Sequence, residues 1–203
     1  MNVRPGIIAA LVGLSLLAGC SEESGTPVGS SAGTPSSAQS DDSSPQSSSV
    51  PGAPKVANPI ENLEHFKKSP CDMLTDEQVS SLGFSRETPE PDGREAWGCH
   101  WENPEKLDSF GIGLLKKQPL GIAGIYRNNQ QFDTMYKYFE PIEISGYPGV
   151  FSDSYDGRAS GACTLSVGVT DSQVFTVTTQ VEGDACEFAK RVAEAAIETM
   201  SRG

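Results

Sequence analysis

Four cysteines in the body of the chain, Cys71, Cys99, Cys163 and Cys186, constrain its fold more than any other feature. A disulfide forms only where two Cα atoms come within about 7 Å. Each bridge would therefore fix a long-range contact before any helix or strand is assigned. Whether the thiols pair depends on the redox compartment, and the fifth cysteine, Cys20, bears on that.

Cys20 closes an apolar run, Ile7 to Leu17, and Arg4 is the only charge before it. As a helix this run rises about 16 Å, well short of the roughly 30 Å of hydrocarbon in a bilayer. It has the length of a signal-peptide core. It ends in Leu17-Ala18-Gly19-Cys20, the bacterial lipobox pattern of a leucine, two small residues and a cysteine. The expected chemistry explains the pattern. The Cys20 thiol takes a diacylglycerol, a peptidase that accepts Ala18 and Gly19 cuts before it, and Cys20 becomes the mature N-terminus. Each acyl methylene contributes about 0.8 kcal/mol of membrane affinity, so two or more chains hold stably. Residues 1–19 are thus expected to be a lipoprotein signal peptide. The mature protein is expected at the outer face of the bacterial cytoplasmic membrane, and that covalent lipid is its only expected non-protein group.

Residues 20–59 are expected to be the lipidated cysteine and a disordered Ser/Gly/Pro-rich tether. Twelve serines fall among residues 21–50, with charges only at Glu22, Glu23, Asp41 and Asp42. Nothing there can build a core. A flexible coil of about 40 residues spans roughly 35 Å on average. Residues 60–203 are expected to be a single disulfide-stapled domain, long enough to bury one core unaided.

Within that domain, Thr75 and Gln78 fit a capping box for a helix from Asp76 to Leu82, stopped by Gly83. Glu95 to Glu102 reads as a strand with Trp97, Cys99 and Trp101 on one face and His100 on the other. Ser109 to Leu115 follows as its partner. Between residues 118 and 140 the pattern is mixed. Ile122, Ile125 and Tyr126 suggest a helical turn, Asn128-Asn129 breaks it, and Phe132, Met135, Tyr136 and Phe139 return to helical spacing. Pro141 to Ile144 reads as a strand, and Ser145 to Gly149 as a turn. Cys163 to Val169 and Val174 to Val181 read as a β-hairpin about Asp171-Ser172. Asp184, with Glu187 completing the box, starts a last helix. Its apolar stripe is Phe188, Val192, Ala195, Ala196 and Met200, with Arg191 and Arg202 toward its end. The class is α+β: a small antiparallel sheet packed by a C-terminal helix and a short N-terminal helix.

Outside the membrane the four body cysteines form an even set and are expected to make two disulfides. Cys71–Cys99 with Cys163–Cys186 is the favoured pairing, because each bond ties a helix start to a nearby strand. Cys71–Cys186 with Cys99–Cys163 stays open as the alternative. A zinc site would need close pairs such as C-x₂₋₄-C, and a redox centre would need C-x-x-C. Neither spacing occurs, so no metal is expected.

Taken in order, these motifs resemble the actinobacterial lipoproteins grouped as domain of unknown function 3558. The resemblance rests on the lipobox, Pro70-Cys71-Asp72-Met73-Leu74-Thr75 with Val79 and Leu82-Gly83, and Cys99-His100-Trp101. Gly146-Tyr147-Pro148-Gly149, Cys163 before a strand, and Asp184-Ala185-Cys186 opening the last helix complete it. It covers most of residues 65–200 and implies an exported lipoprotein of a thick-walled bacterium. It implies no activity, and no catalytic residue is carried over.

The residues themselves give no catalytic motif. Gly157-Arg158-Ala159-Ser160-Gly161 puts alanine where a serine hydrolase needs its nucleophile, and no phosphate-binding glycine loop appears. Of the two histidines, His65 sits at the start of the domain and His100 reads as a surface residue. Asp153, Asp156 and the glutamates near residue 102 read as solvated charges. Trp97 and Trp101 could stack on a sugar, but their alternation with Cys99 points to the core. Most of the aromatics between Tyr126 and Tyr155 also read as core, with a few left for a surface role. The net charge of -12 repels nucleic acid, so no nucleic-acid partner is expected. The expected function is a non-enzymatic binding or accessory module whose partner is an envelope protein or a cell-wall component. A wall hydrolase with an unrecognised site, or a carrier of an apolar ligand, is the alternative.

Overall fold

A computed structural model describes residues 50–90 and 92–202. Leu17, Ala18, Gly19, Cys20 and most of the expected tether lie outside the described residues.

The elements run in the order α1 (Leu63–Lys68), a 3-10 turn (Pro70–Met73), α2 (Asp76–Ser81), β1 (Arg86–Glu90), β2 (Ala96–Asn103) and β3 (Asp108–Leu115). There follow α3 (Gly121–Gln131), β4 (Tyr138–Ile144), β5 (Tyr147–Asp153), β6 (Ala162–Thr170), β7 (Gln173–Gln180) and α4 (Ala185–Met200). All seven strands join one antiparallel sheet in the order β1-β2-β3-β7-β6-β5-β4. Two meanders are therefore zipped together where β7 returns to pair with β3. The two edge strands each carry a proline, Pro89 on β1 and Pro141 on β4. A proline removes a backbone donor and makes an edge a poor template for another strand.

The first face of the sheet carries the main core. Trp101 stacks on Phe110 with ring centroids 4.9 Å apart, and Phe84 meets Phe110 edge-on at 4.8 Å. Phe188 of α4 closes the group against Phe84 and Phe110. Along α4 the buried stripe is Ala185, Phe188, Ala189, Val192, Ala193, Ala196, Ile197 and Met200. Ala189, Val192, Ala193 and Ala196 have no solvent exposure at all, so α4 lies flush on the sheet. Leu63, Phe66, Met73, Leu74 and Val79 extend this core under the N-terminal helices.

The capping box of α2 is present as expected. Gln78 N–H donates to Thr75 Oγ1 at 3.2 Å, and Thr75 N–H donates to Gln78 Oε1 at 2.8 Å. Gln78 does more than its spacing implied. Its Nε2 donates to Ala195 O at 3.1 Å and its Oε1 accepts from Thr199 Oγ1 at 2.8 Å, which ties α2 to the last turns of α4. Asp184 caps α4 by accepting from Glu187 N–H at 3.0 Å. Glu187 does not complete the expected box; its carboxylate lies 3.9 Å from Lys190 instead.

Both disulfides take the favoured pairing, Cys71–Cys99 and Cys163–Cys186, with Cα separations of 5.0 and 5.2 Å. Each does tie the start of a helical segment to a strand.

Three further local expectations are corrected. Asn128-Asn129 does not break the chain, because α3 runs through both to Gln131. Burial of Ile122 and Ile125 outweighs their weak helix propensity. Phe139 lies in β4, not on a helix, and its ring packs edge-on against Tyr126 at 5.0 Å. The turn after β4 is tighter than expected. Ser145 and Gly146 turn the chain with φ of 50° and 84°, and Pro148 and Gly149 already belong to β5. Two positive φ values are what a two-residue hairpin turn with matching twist requires.

Candidate functional site

The second face of the sheet, opposite α4, is covered over only half its width, and the reason is topological. α3 connects β3, in the middle of the sheet, to β4, at its far edge. It therefore crosses only the strands between them. Ile122 and Ile125 pack on Val150 and Val174, with Tyr126, Tyr136 and Phe139 around them. Two glycines permit the close approach. Gly121 has φ of 52°, and a Cβ there would lie 2.7 Å from Asp171 O. A Cβ on Gly168 of β6 would meet Ile122 at 3.0 Å.

The other half, over β1, β2 and β3, is open. Here two rows of paired residues cross the sheet. One runs His100, Gly111, Thr178, Thr164, and the other Gly98, Gly113, Thr176, Ser166. The glycines leave a groove of about 590 Å³ whose floor is bare backbone beside Thr176 and Thr178, with Glu90, Arg94 and Glu95 on its rim. His100 stands in this groove, its Nε2 3.9 Å from Glu102 Oε1.

The same rows lead under the edge of α3 into a second recess of about 330 Å³, which shares Thr176 with the first. One wall is polar: Ser152, Asp153, Thr164, Ser166 and Thr176. The opposite wall is Leu115, Ile125, Met135 and Tyr136, with the Gln118 amide between them. Thr164 Oγ1 donates to Asp153 Oδ2 at 2.7 Å, and Thr176 Oγ1 donates to Leu165 O at 3.2 Å. Burial pushes the Tyr136 phenol above its ordinary value, partly offset by its hydrogen bond to Asn128.

The remaining candidates lie apart from these recesses. His65 sits on α1 with its Nε2 2.8 Å from Asp72. Trp101 is core, as expected. Trp97 is half-buried at the rim of the core, with the Lys67 and Lys116 ammonium groups 5.2 and 4.9 Å from its ring centre. Asp156 is not simply a solvated charge. It shares Arg158 with Glu140, and Arg158 also lies 4.1 Å over the Tyr138 ring. This pairing holds the Asp156 carboxyl below its ordinary range. Ala159 lies in an exposed 3-10 turn pinned by Ser160 Oγ donating to Gly157 O at 2.8 Å. Among the described residues Cys71, Glu87 and Cys99 do converge as a cation site would. Their two sulfurs are bonded to each other, however, so neither offers a thiolate ligand. Of the aromatics between residues 126 and 155, Phe132 and Tyr155 are the most exposed.

The sequence marks His100 as an off-core residue, and the same alternation carries the hydroxyl rows, which the sequence analysis does not single out. Thr164, Ser166, Thr176 and Thr178 are the alternates of the core-facing Cys163, Leu165, Phe175 and Val177.

Comparison with known proteins adds a family and little else. A family model described as a protein of unknown function (DUF3558) matches residues 15–199. No curated protein matches the chain. A crystal structure from Bacteroides thetaiotaomicron VPI-5482 is similar at 17% identity with a TM-score of 0.34. That likeness covers 53% of this chain, which spans only 40% of the length of that one.

Proposed function

Because the chain belongs to the DUF3558 family, whose description carries no activity, its function has to be argued from its own surface, and we propose a non-enzymatic binding module of the bacterial envelope. In this reading it is an actinobacterial lipoprotein, held at the outer face of the cytoplasmic membrane by diacylglycerol on Cys20. Its partner is an envelope protein or a cell-wall component that reaches the open half of the second sheet face.

The observation that carries the reading is that half-covered face. Polar side chains alone would make this an ordinary solvated face of an antiparallel sheet, and what distinguishes it is a groove of about 590 Å³. Here it is lined by glycine, hydroxyl groups and a charged rim, a surface stable in water and shaped to receive something polar. The two disulfides support an oxidising compartment. Packing under α4 favours this reading over a carrier of apolar ligands, since Ala189, Val192, Ala193 and Ala196 lie against the sheet with no solvent exposure.

The test is crosslinking of the anchored protein on living cells, followed by mass spectrometry, with Cys20→Ser as the control that cannot be lipidated. One recurrent partner, lost in the control, is the expected result. Turnover of a cell-wall substrate by the purified chain, abolished by one carboxylate substitution, would replace the binding module with an enzyme.

A further inference from the structure

The 330 Å³ recess beside α3 contains two side chains that the fold does not use. Ser152 and Ser166 retain only 5% and 6% of their exposure. Among the described residues neither hydroxyl has a hydrogen-bond partner in the protein. Each sits where its polar atom looks into the recess, on adjacent strands and one step apart along the diagonal. The hydroxyl oxygens keep access to the recess, since among the described residues no enclosed side-chain nitrogen or oxygen lacks a hydrogen-bond partner. Water meets them there, and a ligand hydroxyl that replaces it can keep those hydrogen bonds.

From the binding-module reading above, on which this rests, we infer that the recess takes a single neutral polyhydroxylated ring, that is, one sugar unit. Four arguments converge. Serine and threonine hydroxyls each donate and accept, so a row of them matches a ligand whose own groups do both. The Asp153 carboxylate accepts only; Thr164 Oγ1 donates to its Oδ2, and Ser154 Oγ and Tyr155 N–H donate at 3.4 Å to its Oδ1, which leaves acceptor capacity at Oδ2 for a ligand hydroxyl. That carboxylate, in a chain of net charge -12, disfavours an anion. The facing wall of Ile125, Met135 and Tyr136 gives the apolar surface that the C–H face of a ring requires. The volume lies at the low end of ligand sites, which run from about 300 to 1,000 Å³. It therefore admits one ring and not a chain, with the open groove as the direction in which further units would extend.

The experiment uses the purified full chain, titrated with glucose, galactose, mannose and N-acetylglucosamine, with glycerol as the non-ring control. Backbone NMR shifts are the readout. Saturable shifts at residues 152–154 and 164–166 with at least one sugar, absent with glycerol, are expected. A Ser152→Ala/Ser166→Ala variant is expected to bind that sugar at least tenfold more weakly while melting no lower than the parent, because the lost hydroxyls held nothing in the protein. Equal shifts with glycerol, or no saturation with any of the four, would overturn the inference and assign the recess to water. A marked drop in the melting temperature of the variant would overturn it too, by making the serines structural. If the sugars fail while crosslinking on cells still returns a partner, only this inference falls. Conversion of the sugar at the recess would refute the non-enzymatic reading and leave the ligand assignment standing.

Discussion

Removing one disulfide at a time tests how this domain is held together. The Cys71–Cys99 bond closes 28 residues and the Cys163–Cys186 bond 23. The chain-entropy relation assigns loops of these sizes about 3.5 kcal/mol each, nearly independent of where they lie. The native side of the balance should change little. Thr179 Oγ1 lies 3.3 Å from both Cys163 O and Ala185 O, which keeps β6, β7 and the start of α4 together without the sulfurs. On the other side, the 3-10 turn packs Met73 into the core whether or not Cys71 is bonded. Two double variants, Cys71→Ala/Cys99→Ala and Cys163→Ala/Cys186→Ala, should therefore each lose about 3 to 4 kcal/mol in urea unfolding, somewhat more if truncated sulfurs leave voids. For a domain of this size that corresponds to a fall in melting temperature of very roughly 10 °C. A loss below about 1 kcal/mol for either pair, with native spectra retained, would refute the entropic account. Strongly unequal losses would show that one bond strains or supports the native structure directly.

Other perturbations address the packing and the charges. Phe110→Ala removes the ring shared by Trp101, Phe84 and Phe188, and should cost about 3 to 5 kcal/mol in the same unfolding assay. Gln78→Ala should cost about 2 kcal/mol, more than the roughly 1 kcal/mol for Thr75→Ala, because Gln78 also bridges α2 to α4. Asp156 titrates below its ordinary 3.8 because of Arg158, so its contribution is present above that pH and lost as pH falls through the folded value. In Arg158→Gln the Asp156 carboxyl, followed by NMR, should titrate at a higher pH than in the parent. Burial raises the phenols of Tyr126, Tyr136 and Tyr138, so the stability they contribute is complete below pH 10.0 and lost as pH rises beyond it. An absorbance titration of tyrosinate should show these three ionising later in the folded chain than in urea.

The sequence alone carried the local rules. Thr75 with Gln78, and Asp184 ahead of an apolar stripe, marked two helix starts, since a cap is a contact between residues three apart. Alternation around Trp101 and Val167 marked strands and their buried faces, because a strand's two faces are decided residue by residue. Even the disulfide pairing followed, because each bond spans elements that are already near neighbours along the chain. What the sequence left undecided lies between residues 118 and 140. There Asn128-Asn129 argues against a helix locally, and only the burial of Ile122 and Ile125 on Val150 and Val174 overrides it. Strand order was likewise undecided, since the pairing of β3 with β7 joins residues 61 to 71 positions apart, from Leu114 with Phe175 to Ser109 with Gln180, and no local signal encodes it. The candidate site follows from that order alone. Once β7 lies beside β3, the α3 crossover can shelter only the far half of the sheet. The half it leaves bare, over β1, β2 and β3, exists because a single helix is narrower than seven strands.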